Sequence, residues 1–288
     1  MNDRYAIRDG QIAKGDPDTP TLRVCALYPD LMNIYADRGN LFVLRRRCAW
    51  RGIGFELVGS GLGDPLDGEA HDIYYLGGGQ DRDQRLCAED LVAGKREALR
   101  QAASRGAVVL GVCGGYQLLG SSYRLGKQTL EGVGLLDVRT VREPGERLVG
   151  NVAIEVALAR ADDRDGQRSE RPRARDELRD EPRGEWPRVL AGFENHGGRT
   201  YLGAGAAPLG RVLKGHGNDG RSGFEGARAG NVIGTYLHGP LLPKNVWFAD
   251  WLIAKALGID IDALAQLEDR LESEAHSSAR RAAGLAAS

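Results

Sequence analysis

The chain has 288 residues and sets 39 Lys and Arg against 40 Asp and Glu, for a net charge of −1, with 42% hydrophobic and 27% charged residues. That is the composition of a soluble globular protein large enough for one large α/β domain or at most two small ones, and its balanced charge excludes a whole-chain basic field for nucleic acid or an acidic membrane. No segment approaches the ~20 consecutive apolar residues of a membrane span. The first twenty residues lack the apolar core of a secretory signal, so a cytoplasmic location is expected.

Taken in chain order, Leu22–Tyr28 reads as a buried strand and Asn40–Trp50 as a helix with Leu41, Leu44 and Cys48 on one face. Phe55–Val58 and Asp72–Leu76 are short strands, the second stopped by Gly77–Gly79. Leu86–Ala103 has the pattern of a long amphipathic helix closed by Arg105 and Gly106, and the wholly apolar Ala107–Val112 reads as a strand in mid-sheet. Strands of this kind alternating with helices predict a parallel sheet covered on both faces. From about Leu148 the strands Val152–Ala157, Val189–Phe193, Arg211–Leu213 and Val232–Tyr236 are separated by turn signals, which points to antiparallel pairing. Asn245–Leu257 reads as a helix, and the tail from Asp260 as helical or frayed. Arg160–Arg188 holds nine Arg and nine Asp or Glu in 29 residues; so little apolar surface cannot offset the ordering entropy, and the segment reads as a disordered insertion. The expected organisation is one domain over residues 21–258, interrupted at 160–188, with extensions at 1–20 and 259–288.

Four cysteines, Cys25, Cys48, Cys87 and Cys113, are scattered with no CxxC pair and no histidine at ligand spacing, which argues against a disulfide scaffold or a zinc ribbon. Cys113 alone stands at a chemically distinctive place. Gly111-Val112-Cys113-Gly114-Gly115 joins the apolar strand to a helix opened by Tyr116-Gln117, which is a G-x-nucleophile-x-G elbow with Cys in the position of Ser. Small residues let strand and helix meet in a sharp turn, and the N–H groups opening the helix favour a thiolate and an oxyanion. The plain alternative is a small cysteine in a tight turn. A thiol nucleophile requires a base. His238, at the end of Asn231–Pro240, lies where the carboxyl edge of a sheet is expected. His196, in the polar segment Glu194–Thr200, is the second candidate, and His71, His216 and His276 have no comparable setting. Gly77–Gly79 follows a strand directly and either forms a tight turn or presents backbone N–H groups to a substrate oxygen. None of the six lysines precedes Ser or Thr, so no P-loop is present.

The stretch Gly111–Gly120 (GVCGGYQLLG) resembles the nucleophile motif of class I glutamine amidotransferases, in their CobB/CobQ-like branch. Leu76–Gln84 (LGGGQDRDQ), Met32–Asn40 (MNIYADRGN), Gly192–Thr200 (GFENHGGRT) and Gly234–Asn245 (GTYLHGPLLPKN) make the likeness narrower. In order, over about Leu22–Leu257, they resemble the glutaminase subunit of lipid II isoglutaminyl synthase (GatD-type). The resemblance implies a flavodoxin-like, class I amidotransferase fold with a mixed, mainly parallel sheet flanked by helices. It also implies hydrolysis of L-glutamine with ammonia passed to a Mur-ligase-like (MurT-type) partner in a heterodimer. That partner would amidate the α-carboxyl of D-glutamate in lipid II, so ATP and Mg would sit there, with no cofactor or metal in this chain. The complex would act on a lipid-linked substrate without a membrane span. Carried over by motif, Cys113 is the nucleophile, His238 the base and Arg147 the glutamine-binding arginine, which composition could not pick out of 33 arginines. The backbone N–H groups of Gly114, Gly78 and Gly79, in the Gly77–Gly79 turn, form the oxyanion hole.

Two features depart from the wider class. Gly239 and Pro240 follow His238, with no acid two residues on, which fits a Cys-His dyad. The charged insertion lengthens a loop that is usually short. Two other readings stay open at the level of sequence: a glutaminase for cobyrinate-type amidation, and a redox-sensing elbow cysteine.

Overall fold

Val108–Val112 is buried on both faces, and the fold is laid around it. The computed structural model describes residues 19–33, 38–125, 127–158 and 186–286. In chain order the first half runs β1 (Thr21–Leu27), α1 (Arg38–Trp50), β2 (Gly54–Ser60), β3 (Ile73–Leu76), α2 (Asp81–Asp90), α3 (Arg96–Ser104), β4 (Val108–Val112) and α4 (Gly114–Leu119). The second half runs β5 (Ser122–Leu125), β6 (Gln128–Glu131), β7 (Val138–Arg142), β8 (Leu148–Leu158), β9 (Trp186–His196), β10 (Gly198–Leu202), β11 (Gly210–Lys214), β12 (Phe224–Glu225), β13 (Ala227–Ala229) and β14 (Val232–Thr235). Helices α5 (Leu241–Lys244), α6 (Val246–Leu257) and α7 (Arg270–Ala282) close the chain.

The main sheet has the order β13-β14-β4-β3-β1-β2 and is parallel except for the edge pair β13–β14. Its central strands β3, β4 and β14 are buried at every residue, as a sheet covered on both faces requires. The β1-to-β2 crossover steps one way along the sheet and the β3-to-β4 crossover the other. Right-handed crossovers therefore put α1 and the α2–α3 pair on opposite faces. The mixed, mainly parallel sheet expected from the sequence is the one observed. Of the closer-spaced strands expected to pair antiparallel, β8, β9 and β11 do so, while Val232–Tyr236 does not: β14 lies parallel to β4 in the main sheet and only its outer neighbour β13 runs antiparallel to it. Two smaller four-stranded sheets, β10-β7-β5-β6 and β12-β11-β8-β9, complete the fold, and in them every pair but β5–β7 is antiparallel.

Three further elements differ from the sequence reading. The helix expected over Leu86–Ala103 begins at Asp81 and is broken by a π-helical turn at Leu91–Lys95. The wider turn brings Lys95 inside, 1% exposed, where it pairs with Asp90 and lies 5.0 Å from the centroid of the Tyr28 ring. Strands β5 to β7 occupy a stretch in which no element was expected, because their apolar positions are few and widely spaced. Glu194–Thr200, read as a polar loop, is instead the end of β9 and the start of β10, held by the long β8–β9 ladder and by β7.

Of the insertion expected over 160–188, residues 160–185 lie outside the described residues, as do residues 1–18; its last three residues are not disordered but open β9, paired with the end of β8. Beyond α6 the chain folds back: α7 packs on α5, β8 and β9, and Asn151 Nδ2 donates to the Ala282 carbonyl at 3.1 Å. This return is clamped by ion pairs. Arg47 on α1, 1% exposed, donates to both oxygens of Asp250 on α6 (2.5 and 2.7 Å) and of Asp269 before α7 (2.8 and 2.7 Å). Arg51 donates to the same Asp250 at 2.9 and 2.7 Å and to the Ala265 carbonyl at 2.8 Å.

Candidate active site

Cys113 occupies the single-residue turn between β4 and α4 with φ 53° and ψ −107°. Only Tyr28 shares a positive φ with it among described residues other than glycine, and such a conformation costs about 1–3 kcal/mol. The elbow is held from both sides. Cys113 N–H donates to the Thr235 carbonyl (2.8 Å), Gln117 N–H to the Cys113 carbonyl (3.2 Å) and Gly115 N–H to the Gly77 carbonyl (3.0 Å). The flanking glycines are there because of crowding. A Cβ on Gly115 would lie 2.1 Å from the Leu76 carbonyl oxygen, and one on Gly111 2.7 Å from Leu119 Cδ1. The thiol-bearing residue is 8% exposed.

Three adjacent parallel strands bring the other candidates to the same edge. In the ladder, Thr235 of β14 faces Val112 of β4, and Leu76 of β3 faces Gly111. His238 therefore leaves β14, and the Gly77–Gly79 turn leaves β3, on either side of Cys113. A Cβ on Gly114 would lie 3.0 Å from Gly79 N, so the two segments expected to hold an oxyanion abut. His238 is 1% exposed, its main chain paired with Phe193 in both directions (3.1 and 2.9 Å), and its ring stands edge-on to the Phe193 ring at 5.8 Å. Burial, reinforced by the charges of Lys244 and Arg147, pushes its pKa down to about 4. His238 is thus a neutral imidazole at neutral pH, the form that accepts a proton.

Arg147, next to the first residue of β8, is exposed and aimed by β9: its Nε donates to Asn195 Oδ1 and its Nη2 to the Asn195 carbonyl, both at 2.8 Å. Its charge depresses the pKa of both His196 and His238, which puts it on the site's rim. His196 is near but not equivalent to His238. Its Nδ1 lies 2.8 Å from the Gly198 carbonyl, its ring is stacked on Tyr236 at 3.6 Å, and burial pushes its pKa down to about 3. The remaining histidines lie elsewhere: His216 on an exposed loop, His71 ahead of β3, and His276 on α7 with Nδ1 2.8 Å from the Lys244 carbonyl. Cys25, Cys48 and Cys87 are buried with pKa values pushed up to about 12, against a reactive role.

Sequence reasoning missed the polar scaffold beneath the elbow. Gln84 Nε2 donates to Gln117 Oε1 (3.0 Å), Gln117 Nε2 to the Tyr236 hydroxyl (3.2 Å), and that hydroxyl lies 2.6 Å from Thr200 Oγ1. The chain of side chains joins α2, α4, β10 and the segment leading to His238. The adjoining LGGGQDRDQ and GGYQ blocks hold both glutamines, and that is the only sequence signal for them.

Residues 23–246 match the CobB/CobQ-like glutamine amidotransferase domain. The chain belongs to that family. This glutamine amidotransferase is 37% identical over 228 residues to the lipid II isoglutaminyl synthase (glutamine-hydrolyzing) subunit GatD of Staphylococcus aureus, covering 79% of this chain and 81% of the relative. It is 33% identical to the subunit of the same name from Streptococcus pneumoniae, covering 88% of each. Similarity to the cobyric acid synthase of Pelotomaculum thermopropionicum is 39% identity over 163 residues, which covers 52% of this chain but 27% of that protein. The amidotransferase fold is the one that the family resemblance implied. No helix among the described residues is long and apolar enough to cross a membrane.

Proposed function

We propose that this amidotransferase chain hydrolyses L-glutamine in the cytoplasm and hands the ammonia to a Mur-ligase-like partner, which amidates the D-glutamate α-carboxyl of lipid II. The observation that carries this reading is the near full-length similarity to two proteins named as subunits of that synthase. The cobyric acid synthase likeness is confined to about a quarter of a much longer chain, and weighs less.

In this reading Cys113 Sγ attacks the side-chain amide carbon while neutral His238 takes the thiol proton. The oxyanion of the tetrahedral intermediate is held by backbone N–H groups of Gly114 and of Gly78 and Gly79. Collapse breaks the C–N bond, His238 returns its proton to the leaving nitrogen, and ammonia departs from a γ-glutamyl thioester. Water, deprotonated by His238, then cleaves the thioester to glutamate and regenerates the thiol. Arg147, pre-aimed by Asn195, pairs with the glutamine α-carboxylate. ATP and Mg belong to the partner's half-reaction. Ammonia released near neutral pH is captured as ammonium by solvent, so a closed route into a bound partner follows.

The test is glutamate release by the purified chain, alone and with the co-expressed synthetase, beside Cys113→Ala. Release that depends on Cys113 supports the reading. Hydrolysis undiminished in Cys113→Ala would refute it, and failure of a Mur-ligase-like chain to copurify would remove the partner from it.

A further inference from the structure

A carboxyl group that takes no part in the Cys113–His238 chemistry is built into the turn that carries His238. Glu225, the last residue of β12, is 0% exposed. Its Oε1 accepts the Tyr236 N–H at 2.6 Å, and the Thr235 hydroxyl lies 3.1 and 3.0 Å from its two oxygens. The same hydroxyl accepts the Leu237 N–H at 3.0 Å. One side chain therefore organises three consecutive residues, Thr235, Tyr236 and Leu237, that end immediately before His238. On its far side the His238 main chain is fixed by Phe193. Burying a carboxyl is expensive unless its hydrogen bonds are made, and here they are made to the catalytic turn rather than to a distant part of the core.

We propose that Glu225 is a positioning residue for His238: through the main chain of Thr235–Leu237 it sets where the imidazole stands relative to Cys113. The role rests on the reading of Cys113 and His238 as the catalytic pair. Glu225 performs from beneath the turn the orienting task that an acid bonded to the imidazole performs in a triad. Burial, with Glu194 nearby, lifts the Glu225 pKa to about 8, so the group carries its proton at neutral pH. A neutral amide is then its nearest mimic: glutamine keeps an acceptor for the Tyr236 N–H and offers N–H to Thr235 Oγ1.

The experiment is steady-state glutaminase kinetics on the full chain with its synthetase partner for Thr235→Val, Glu225→Gln and Glu225→Ala. His238 ring nitrogen shifts are read by NMR alongside. Thr235→Val and Glu225→Ala are expected to lower kcat about 10-fold or more, with KM for glutamine held within about 2-fold, and to move the His238 shifts. Glu225→Gln is expected to keep kcat within about 3-fold of wild type. If Glu225→Ala does not fold, Thr235→Val, which removes one hydroxyl at constant shape, decides. Wild-type kcat with unmoved His238 shifts in a folded Thr235→Val protein overturns the proposal, and so does a Glu225→Gln loss as large as that of Glu225→Ala. Absence of glutamine hydrolysis in the wild-type chain would instead sink the catalytic reading, while the His238 shifts would still decide the positioning.

Discussion

Replacing Arg47 with Met removes a buried guanidinium and keeps most of its apolar stem. In the native fold that group makes four hydrogen bonds to Asp250 and Asp269, which tie α1 to α6 and to the C-terminal return. Breaking one side of a buried ion pair costs about 3–5 kcal/mol because the partner is left uncompensated. Asp250 keeps its two bonds from Arg51, and the side chain of Asp269 is 26% exposed and can rehydrate, so the lower end, about 3 kcal/mol, is expected. For a chain of this size that corresponds to a fall in Tm of roughly 6–12 °C. Thermal melts by circular dichroism, with urea titration at one temperature, measure it. Arg47 is 1% exposed and its partner Asp250 is largely covered, so 0.5 M salt should leave most of the difference in place. A Tm within 2 °C of wild type, or a difference that disappears in salt, would refute the clamp.

Arg147→Ala should raise KM for glutamine by about 30-fold or more with little change in Tm, since the residue is exposed and its charge-assisted pairing is worth about 2 kcal/mol; an unchanged KM in initial-rate assays would exclude it from substrate binding. Gly234→Ala should lower Tm by more than about 5 °C, because the new Cβ would lie 1.9 Å from Cδ2 of the fully buried Tyr116 ring, and calorimetry of the two proteins measures the loss. Stability should peak near pH 6.5. His196 and His238 have folded pKa values of about 3 and about 4, below the unfolded value, so each removes about 1.4 kcal/mol per pH unit as pH falls from 6.5 toward those values. Glu225 acts with the opposite sign: its folded pKa of about 8 lies above the unfolded 4.5, so stability is lost as pH rises between the two. Urea midpoints across pH 4–9 report both limbs, and a midpoint that keeps rising from pH 6 to 9 would contradict the alkaline one.

The parallel sheet was legible because Ala107–Val112 and its neighbours are apolar on both faces, a pattern that demands cover above and below. The elbow was legible for a related reason: crowding at Gly111, Gly114 and Gly115 forces glycine at fixed spacing around Cys113, and that spacing survives in the sequence. His238 and the Gly77–Gly79 turn were placed at the correct sheet edge because each follows a readable strand. Arg147 was not distinguishable on its own, since its position depends on Asn195 across the β8–β9 ladder, a contact 48 residues away. Glu225 was invisible: an acidic residue between Phe224 and Gly226 looks like a surface turn, and only the neighbouring β14 shows that it faces inward. The strand β6 was equally hidden, because Leu130 alone of its four residues is buried.

The β8–β9 ladder pairs Leu148 with His196 at one end and Leu158 with Trp186 at the other. At about 3.3 Å per residue, the two ends lie roughly 33 Å apart along the strands. Arg147 and Asn195 stand at the first end, and the chain leaves and re-enters at the second. Sequence length can therefore be gained or lost between Leu158 and Trp186 without altering the spacing of any residue around Cys113. The same separation makes that end of the hairpin the natural place to graft a fluorophore or an affinity tag, roughly 33 Å along the strands from Arg147 and Asn195.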